Sequence, residues 1–373
     1  MREELTSLLA DLVGIDSQNP VLVPGAPGEE ELARYVARWL EAAGFEVELE
    51  EAAPRRPNVI GVARGSGGGQ TLMLNAHMDT VGEGGMERAL EPRVENGRLY
   101  GRGAYDMKGS LAAILVAARD AAATRLAGDV VVTAVADEEA ASIGTAAVAA
   151  ARGADGAIVA EPTELQVAVA HRGFVAFEVE TIGRAAHGSR PELGIDAIAH
   201  MGFVLVGLHA LDRSLRAEPR HRLLRSGSLH AGVIEGGVEF STYPDRCLLT
   251  GERRTIPGET TDAVLREVVE LLERAGRGVE DFEGSVQASI ARDPFEVPED
   301  DPIVELVRRH AGATGVVGVP FWTDAALLAS AGIPTVVFGP AGEGAHADVE
   351  WVDLASVGRC AEILTAVTRE FCA

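Results

Sequence analysis

The sequence predicts an α/β fold in which a smaller α+β domain is inserted into a larger one. Short apolar runs alternate with helical segments over the first 160 residues, as in a layered βαβα structure. Near His171 the strands change to an alternation of apolar and polar residues, which is typical of a sheet with one solvated face. The α/β alternation returns at Asp301. We therefore expect a larger domain at 1–172 and 291–373 and a smaller, two-layer domain at 173–290.

The length supports two domains, because 373 residues exceed the roughly 250 to 300 at which a single core usually stops growing. The first predicted helix, 29–43, carries Leu32, Val36 and Leu40 at helical spacing and ends at Gly44. After this helix we expect a strand at 45–49 and three buried strands at 71–76, 130–136 and 157–160. Helices are expected between the buried strands, at 109–123 and 145–152. The buried runs are rich in Val, Ile and Leu and bounded by glycine or charge, as parallel strands are.

The smaller domain and the last part of the chain are predicted from the same patterns. In the smaller domain we expect three strands, at 174–181, 233–237 and 247–250. We also expect two helices there, at 195–211 and 261–275. In the last part we expect a helix, a strand and a closing helix, at 303–310, 334–338 and 355–371. The glycine run 65–69 is predicted to be a hairpin tip rather than a phosphate loop, because no Lys-Ser/Thr follows it.

Composition excludes several classes of function. The 33 basic and 57 acidic residues give a net charge of −24, which argues against nucleic acid and anionic membranes as partners. This acidity indicates solubility, or alternatively it steers a substrate that bears an amine. No run approaches the roughly 20 apolar residues of a membrane helix, and the start is polar, so we expect a cytoplasmic protein. Three widely spaced cysteines favour neither a disulfide framework nor a cysteine zinc site.

Isolated metal-type side chains follow the short apolar runs. They are His77, Asp79, Asp106, Glu138, Glu139, Glu161 and His346. In an open α/β sheet, ligands and catalytic groups gather at the carboxyl ends of the strands. Five of these side chains suffice to hold two zinc-like ions, with one carboxylate to spare as a proton carrier. The pattern therefore predicts a metallohydrolase site.

Each motif alone also has an ordinary structural interpretation. His77 and Asp79 fit a ligand with its hydrogen-bonded partner, but equally a surface histidine beside a turn. Asp106, framed by glycines before a helix, fits a helix cap. The three acids at 137–139 fit a solvated turn, unless one binds a metal and another acts as a general base. From the residues alone these alternatives stay open.

Taken together, the motifs resemble the di-zinc amidohydrolase and peptidase family that includes acetylornithine deacetylase, succinyl-diaminopimelate desuccinylase, aminoacylase and glutamate carboxypeptidase. The matching segments are 75–81, 101–109, 136–139, 160–163 and 344–346. The resemblance extends over essentially the whole chain. It implies a three-layer catalytic domain and an inserted dimerisation (lid) domain. It also implies a homodimer.

The resemblance implies two divalent ions, most simply zinc, with cobalt or manganese as alternatives. His77 and Glu161 would hold one ion and Glu139 and His346 the other, and Asp106 would bridge both. A water shared between the ions would attack an amide carbonyl. The remaining members of the site would be Glu138 as general base and acid and Asp79 as the group that orients the first histidine.

The resemblance also assigns residues to substrate. His187, in the segment 184–191, would reach the partner's active site and stabilise the oxyanion. Arg254 would bind a substrate carboxylate through its planar fork, with an ordinary surface ion pair as the alternative. Ser241 stands where many relatives carry Asn, and its shorter hydroxyl can still donate a hydrogen bond but changes the reach and shape of the site.

Two further residues, Thr323 and Asp324, have two interpretations. They precede a helix, so Thr323 either caps it above a packed Trp322, or one of the two touches the substrate's amine or backbone. The function expected is hydrolysis of an N-acyl amino acid, favoured over a metallo-carboxypeptidase or dipeptidase acting on short peptides because Glu161 and its Pro-Thr context resemble the deacetylase members. A non-catalytic, amino-acid-binding relative is the remaining alternative.

Overall fold

The computed structural model describes residues 2–373, which divide into two compact units. The first unit contains the described residues up to Val169 together with Val297–Val317 and Thr323–Ala373. The second contains Ala170–Glu296 and Gly318–Trp322. This second unit is slightly longer at both ends than the domain expected at 173–290. The short piece 318–322, which returns to the second unit, was not anticipated from the sequence.

Seventeen strands and nine α-helices are described, besides a short π-helical segment at Ala104–Lys108. The strands are β1 Glu46–Ala53, β2 Arg56–Ala63, β3 Leu72–His77, β4 Arg93–Glu95, β5 Arg98–Tyr100, β6 Val130–Val135, β7 Gly156–Val159, β8 Ala168–His171, β9 Gly173–Ile182, β10 Ser228–Gly236, β11 Arg246–Thr255, β12 Glu283–Arg292, β13 Phe295–Glu296, β14 Val317–Val319, β15 Thr335–Val337, β16 Gly342–Glu343 and β17 Trp351–Asp353. The helices are α1 Arg2–Gly14, α2 Glu30–Ala42, α3 Gly109–Ala122, α4 Ile143–Ala151, α5 Ala197–Ala217, α6 Thr261–Ala275, α7 Pro302–Ala311, α8 Ala325–Ser330 and α9 Leu354–Phe371.

The first unit is built on a mixed sheet. Its strands are ordered β1, β2, β6, β3, β7, β15 and β8, and the central strands β6, β3, β7 and β15 run parallel. Helix α3 packs against α9, α1 and the strands β3 and β6, while α4 packs against α8. Strands β3, β6 and β7 are buried along their whole length, because helices cover a parallel sheet. The expected α/β, three-layer fold class is confirmed. No helix within residues 2–373 is long and apolar enough to cross a membrane.

The second unit has an antiparallel sheet in the order β10, β11, β9, β12, with the helices α5 and α6 packed on it. Along β9, buried and half-buried residues alternate as predicted. The core between sheet and helices contains Phe177, Met201, Leu249 and Val268. The inserted α+β arrangement is therefore present as a two-layer unit.

The prediction of a hairpin tip at 65–69 is wrong. Strands β2 and β3, which flank this run, do not pair, since β6 lies between them in the sheet. The loop instead donates backbone hydrogen bonds from Ser66 and Gly67 to the carbonyls of Leu126 and Ala127. A glycine run between two strands does not by itself indicate that the strands are neighbours.

The cysteines are free thiols, and all three are buried. They are Cys247 in the second unit and Cys360 and Cys372 in the first.

Candidate metal centre

The centre forms where three parallel strands end side by side. Strand β3 lies between β6 and β7, with His77 opposite Val135 and Asn75 opposite Val159. His77 is the last residue of β3, and the acids of 137–139 and Glu161 follow β6 and β7 directly. Parallel strands share one carboxyl edge, so the sequence order alone brings these side chains together.

Asp106 lies between two histidines and offers one carboxylate oxygen to each. Its Oδ1 is 3.1 Å from His77 Nε2, and its Oδ2 is 3.5 Å from His346 Nε2. The same two ring nitrogens also approach a glutamate each: His77 Nε2 is 3.7 Å from Glu161 Oε1, and His346 Nε2 is 3.0 Å from Glu139 Oε2. The arrangement is a chain of alternating carboxylates and imidazoles with Asp106 at its middle.

Two sets of three side chains present ligand atoms close enough together for a cation. The ligand atoms of His77, Glu138 and Glu161 lie within 4.8 Å of one another, as do those of His77, Asp106 and Glu139. Glu138 thus reaches into the same cluster as the five residues predicted as ligands. Imidazole nitrogen and carboxylate oxygen are donors that suit zinc, cobalt and manganese.

The electrostatics of the cluster fit a cation. Burial and the Glu161 carboxylate raise the pKa of Glu138 well above its usual range, and burial and Asp106 do the same for Glu161. Hydrogen bonds to Asp106 and Glu139 raise the pKa of His346 to about 10. Within residues 2–373, Glu139 Oε1 is buried without a hydrogen-bond partner. A bound divalent ion would interact with this unpartnered carboxylate oxygen and would offset the repulsion between the buried acids.

Asp79 contacts His77 differently from the prediction. The ring Nδ1 of His77 lies 2.9 Å from the backbone carbonyl of Asp79 and 3.6 Å from its carboxylate. The carboxylate instead accepts the backbone N–H groups of Glu138 at 3.0 Å and of Glu139 at 3.2 Å. Asp79 therefore orients the histidine through its main chain and fixes the turn that carries the two glutamates through its side chain.

A buried polar network supports this turn, and sequence reasoning missed it. Asn19 Nδ2 donates to Asp79 Oδ2 at 2.7 Å and to Asp137 Oδ1 at 3.0 Å. Arg56 pairs with Asp137 at 3.0 Å and with Glu29, and all five network residues are 7% exposed or less. The one available signal was the arginine at the start of strand β2, which is buried except at its last residue, since a buried charge needs a partner.

That Thr323 or Asp324 contacts substrate stays a prediction, and the structure places both side chains as follows. Thr323 is 0% exposed and its Oγ1 accepts the backbone N–H of Ala325, as a helix cap does. Asp324 is 1% exposed and its Oδ2 accepts a hydrogen bond from Thr145 Oγ1 at 2.6 Å. The Asp324 carboxylate is close enough to the candidate centre to raise the pKa of Glu138 and Glu161, and within residues 2–373 its Oδ1 is buried without a hydrogen-bond partner. Burial raises the pKa of Asp324 to about 6.

The alternative in which Trp322 packs beneath that helix stays a prediction. Trp322 belongs to the second unit. Its indole Nε1 donates to the backbone carbonyl of Asp293 at 3.1 Å, and the guanidinium of Arg292 lies 5.6 Å from its ring centre.

The remaining predicted site residues all lie in the second unit. His187 is exposed, and its Nδ1 lies 2.8 Å from Ser189 Oγ. The backbone of Ser241 accepts the N–H of Gly188 at 2.6 Å, which places this serine beside the His187 segment. Arg254 donates from Nε to Glu252 at 2.7 Å and lies over the ring of Phe174.

The chain is also similar to known proteins. The profile of the Peptidase family M20/M25/M40 matches residues 73–370. The chain is similar to acetylornithine deacetylase of Myxococcus xanthus, with 31% identity over 379 residues that cover 99% of this chain and 97% of that protein.

Solved structures share the fold at lower identity. The aminopeptidase PepT from Bacillus cereus superposes with a TM-score of 0.81 at 20% identity, covering 100% of this chain and 99% of its own. The YXEP protein of Bacillus subtilis, described as a dinuclear metal binding peptidase, gives a TM-score of 0.75 at 18% identity, covering 100% and 98%.

Proposed function

Because the chain belongs to the Peptidase family M20/M25/M40 and is a metal-dependent hydrolase, we propose that it hydrolyses the amide bond of an N-acyl amino acid. The observation that carries the proposal is Asp106, whose two oxygens each face a different histidine while Glu138 reaches into the same cluster. Similarity to acetylornithine deacetylase over nearly the whole chain favours a deacylase over a peptidase.

Five side chains would hold two divalent ions. His77 and Glu161 would bind one, Glu139 and His346 the other, and Asp106 both, with zinc as the preferred metal and cobalt or manganese as alternatives. When bound, such a pair polarises a scissile carbonyl and lowers the pKa of an attacking water. The observed contacts support this division, because each histidine approaches a different oxygen of Asp106.

Glu138 would move the proton. Its carboxylate takes a proton from the attacking water as the new C–O bond forms, and then delivers it to the amine nitrogen as the C–N bond breaks. The products are a carboxylate and a free amine, and no covalent intermediate is required. The hydrogen bond from the backbone N–H of Glu138 to Asp79 Oδ1 fixes the main chain that carries this side chain.

The second unit would supply recognition. Arg254 would bind the substrate's carboxylate, for which a planar guanidinium is suited, by exchanging it for Glu252. His187 would donate to the oxyanion of the partner subunit's substrate, so the active form would be a homodimer. Ser241, beside the His187 segment, would contribute a hydroxyl where relatives carry an amide.

Replacing His187 with alanine is expected to reduce turnover by about 10²-fold, because one donor to the oxyanion is lost, while metal content is unchanged. The cross-subunit role is tested by mixing His187→Ala and Glu138→Gln protein under conditions that exchange subunits. A mixed dimer has one site with both groups intact, so activity should exceed that of either variant alone. No recovery, or full turnover by His187→Ala itself, would rule out this role.

The function is tested by measuring amine release from a panel of N-acetyl, N-succinyl and N-formyl amino acids and dipeptides, using protein loaded with zinc or cobalt. We expect turnover of a subset of the N-acyl amino acids that is absent from Glu138→Gln. If only the dipeptides were hydrolysed, the proposed activity would be that of a peptidase and not of a deacylase. Turnover of nothing in the panel, with two ions bound per chain, would contradict the proposed substrate class.

A further inference from the structure

A buried ion pair adjoins the segment that carries Asp106. Arg102 Nη1 donates to Glu350 Oε2 across 2.8 Å, and the two side chains are 2% and 1% exposed. Such a pair is weak evidence for stability, because desolvation offsets much of the attraction between the charges. Neither residue was singled out by the sequence patterns. The other contacts of the two side chains indicate what the pair holds.

Glu350 accepts four hydrogen bonds, two at each oxygen. Besides Arg102, Oε2 accepts the backbone N–H of Gly103 at 3.0 Å, and Oε1 accepts those of Tyr105 at 2.9 Å and Asp106 at 3.0 Å. The backbone of Asp106 is extended rather than helical, with φ −116° and ψ 95°. A helical turn therefore does not satisfy its N–H, and Glu350 supplies the missing acceptor.

Arg102 also contacts the segment that carries His346. Its Nη2 donates to the backbone carbonyl of Ala347 at 3.0 Å, directly after His346, and its Nε donates to the carbonyl of Gly82 at 3.0 Å. Glu350 itself lies four residues after His346 in the sequence. The ion pair thus joins the Asp106 segment to the His346 segment, and both provide side chains to the candidate centre.

We propose that Glu350, together with Arg102, is a positioning residue that fixes Asp106 and His346 for metal binding. The inference rests on the proposed function. Asp106 faces both histidines, so a shift of its backbone would disturb both ion sites at once. Residues that hold metal ligands in place typically change metal affinity by roughly 10- to 100-fold when they are replaced.

The test compares Glu350→Gln with wild type. The amide keeps the size of the side chain but replaces one acceptor oxygen by a donor, which then faces N–H groups. We expect affinity for both zinc ions, measured by competition with a chelating dye, to fall at least about 10-fold. The absorption spectrum of the cobalt-loaded protein should change as well, because the coordination of Asp106 changes.

The matched control is Glu259→Gln in the second unit. Glu259 also accepts from a buried arginine, Arg253, at 2.8 Å and from the backbone N–H of Ile256 at 3.0 Å. Its loss should lower the unfolding temperature and leave zinc affinity and the cobalt spectrum unchanged. If Glu350→Gln does not fold, Arg102→Lys serves instead, since it keeps the charge but loses the fork that reaches Ala347.

Unchanged zinc affinity in the Glu350 or Arg102 variant would overturn the inference, as would equal weakening in Glu259→Gln. Both results leave the proposed function intact, because wild-type binding and turnover are measured beside them. Failure of wild type to bind two zinc ions would instead overturn the proposed function, and the inference with it.

Discussion

Replacing Glu138 with glutamine is expected to lower turnover by about 10²- to 10⁴-fold, the range that a general acid or base contributes. The amide can neither take a proton from water nor give one to the departing amine, while it preserves the size of the side chain. Both ions should remain bound, because Glu138 is outside the five proposed ligands. The measurement is steady-state amine release alongside metal content determined by elemental analysis.

Glu91→Gln is the control for the Glu138 substitution. Glu91 is an exposed carboxylate paired with Arg88 in the same unit, so its loss should change neither turnover nor metal content. Loss of an ion together with activity in Glu138→Gln would show that Glu138 is itself a ligand, as its closeness to His77 and Glu161 allows. Retention of normal turnover would remove it from the mechanism.

Removal of the metal ions by a chelator is expected to abolish hydrolysis without unfolding the protein. The buried strands β3, β6 and β7 owe their packing to apolar side chains, so the fold persists. Stability should nevertheless fall, because ions that bind only the folded state add about 4 kcal/mol at a thousandfold excess over Kd. Without them, the acids of the cluster repel one another across a desolvated site.

The measurements on metal-free protein are turnover, far-UV circular dichroism and unfolding temperature, before and after zinc or cobalt is restored. We expect the dichroism to stay native, the unfolding temperature to drop and recover, and turnover to return with the ions. Turnover that survives complete removal of metal would contradict the proposed chemistry. A chain that unfolds on chelation would instead assign the ions a structural role.

Local sequence patterns were sufficient to predict the parallel strands and the polar residues at their ends. Apolar runs marked the parallel strands, and strand ends marked where His77, Glu139 and Glu161 converge. The family resemblance, now confirmed by the profile match, added the order of the motifs. These predictions succeed because a buried parallel strand and the polar residue after it lie next to each other in the chain.

The buried polar partners could not be predicted in this way. Arg102 and Glu350 are 248 positions apart, and Arg56 and Asp137 are 81 apart, so no local pattern joins them. The burial of Asp324 could not be predicted either, because its neighbours in the sequence do not indicate it. Whether a charged side chain is buried depends on which distant segment packs over it, and that is decided only by the tertiary fold.

The candidate ligands are spread from His77 to His346, and this spread constrains the order of folding. Contacts between residues so far apart form slowly, because a long loop must close before they are gained. Strands β3, β6 and β7 can bring His77 and Glu161 together while His346 is still absent. The proposed second ion site needs His346, so the chain acquires its capacity for two ions only when the segment that carries His346 has packed against Asp106. Metal uptake is thereby a marker of how far folding has advanced.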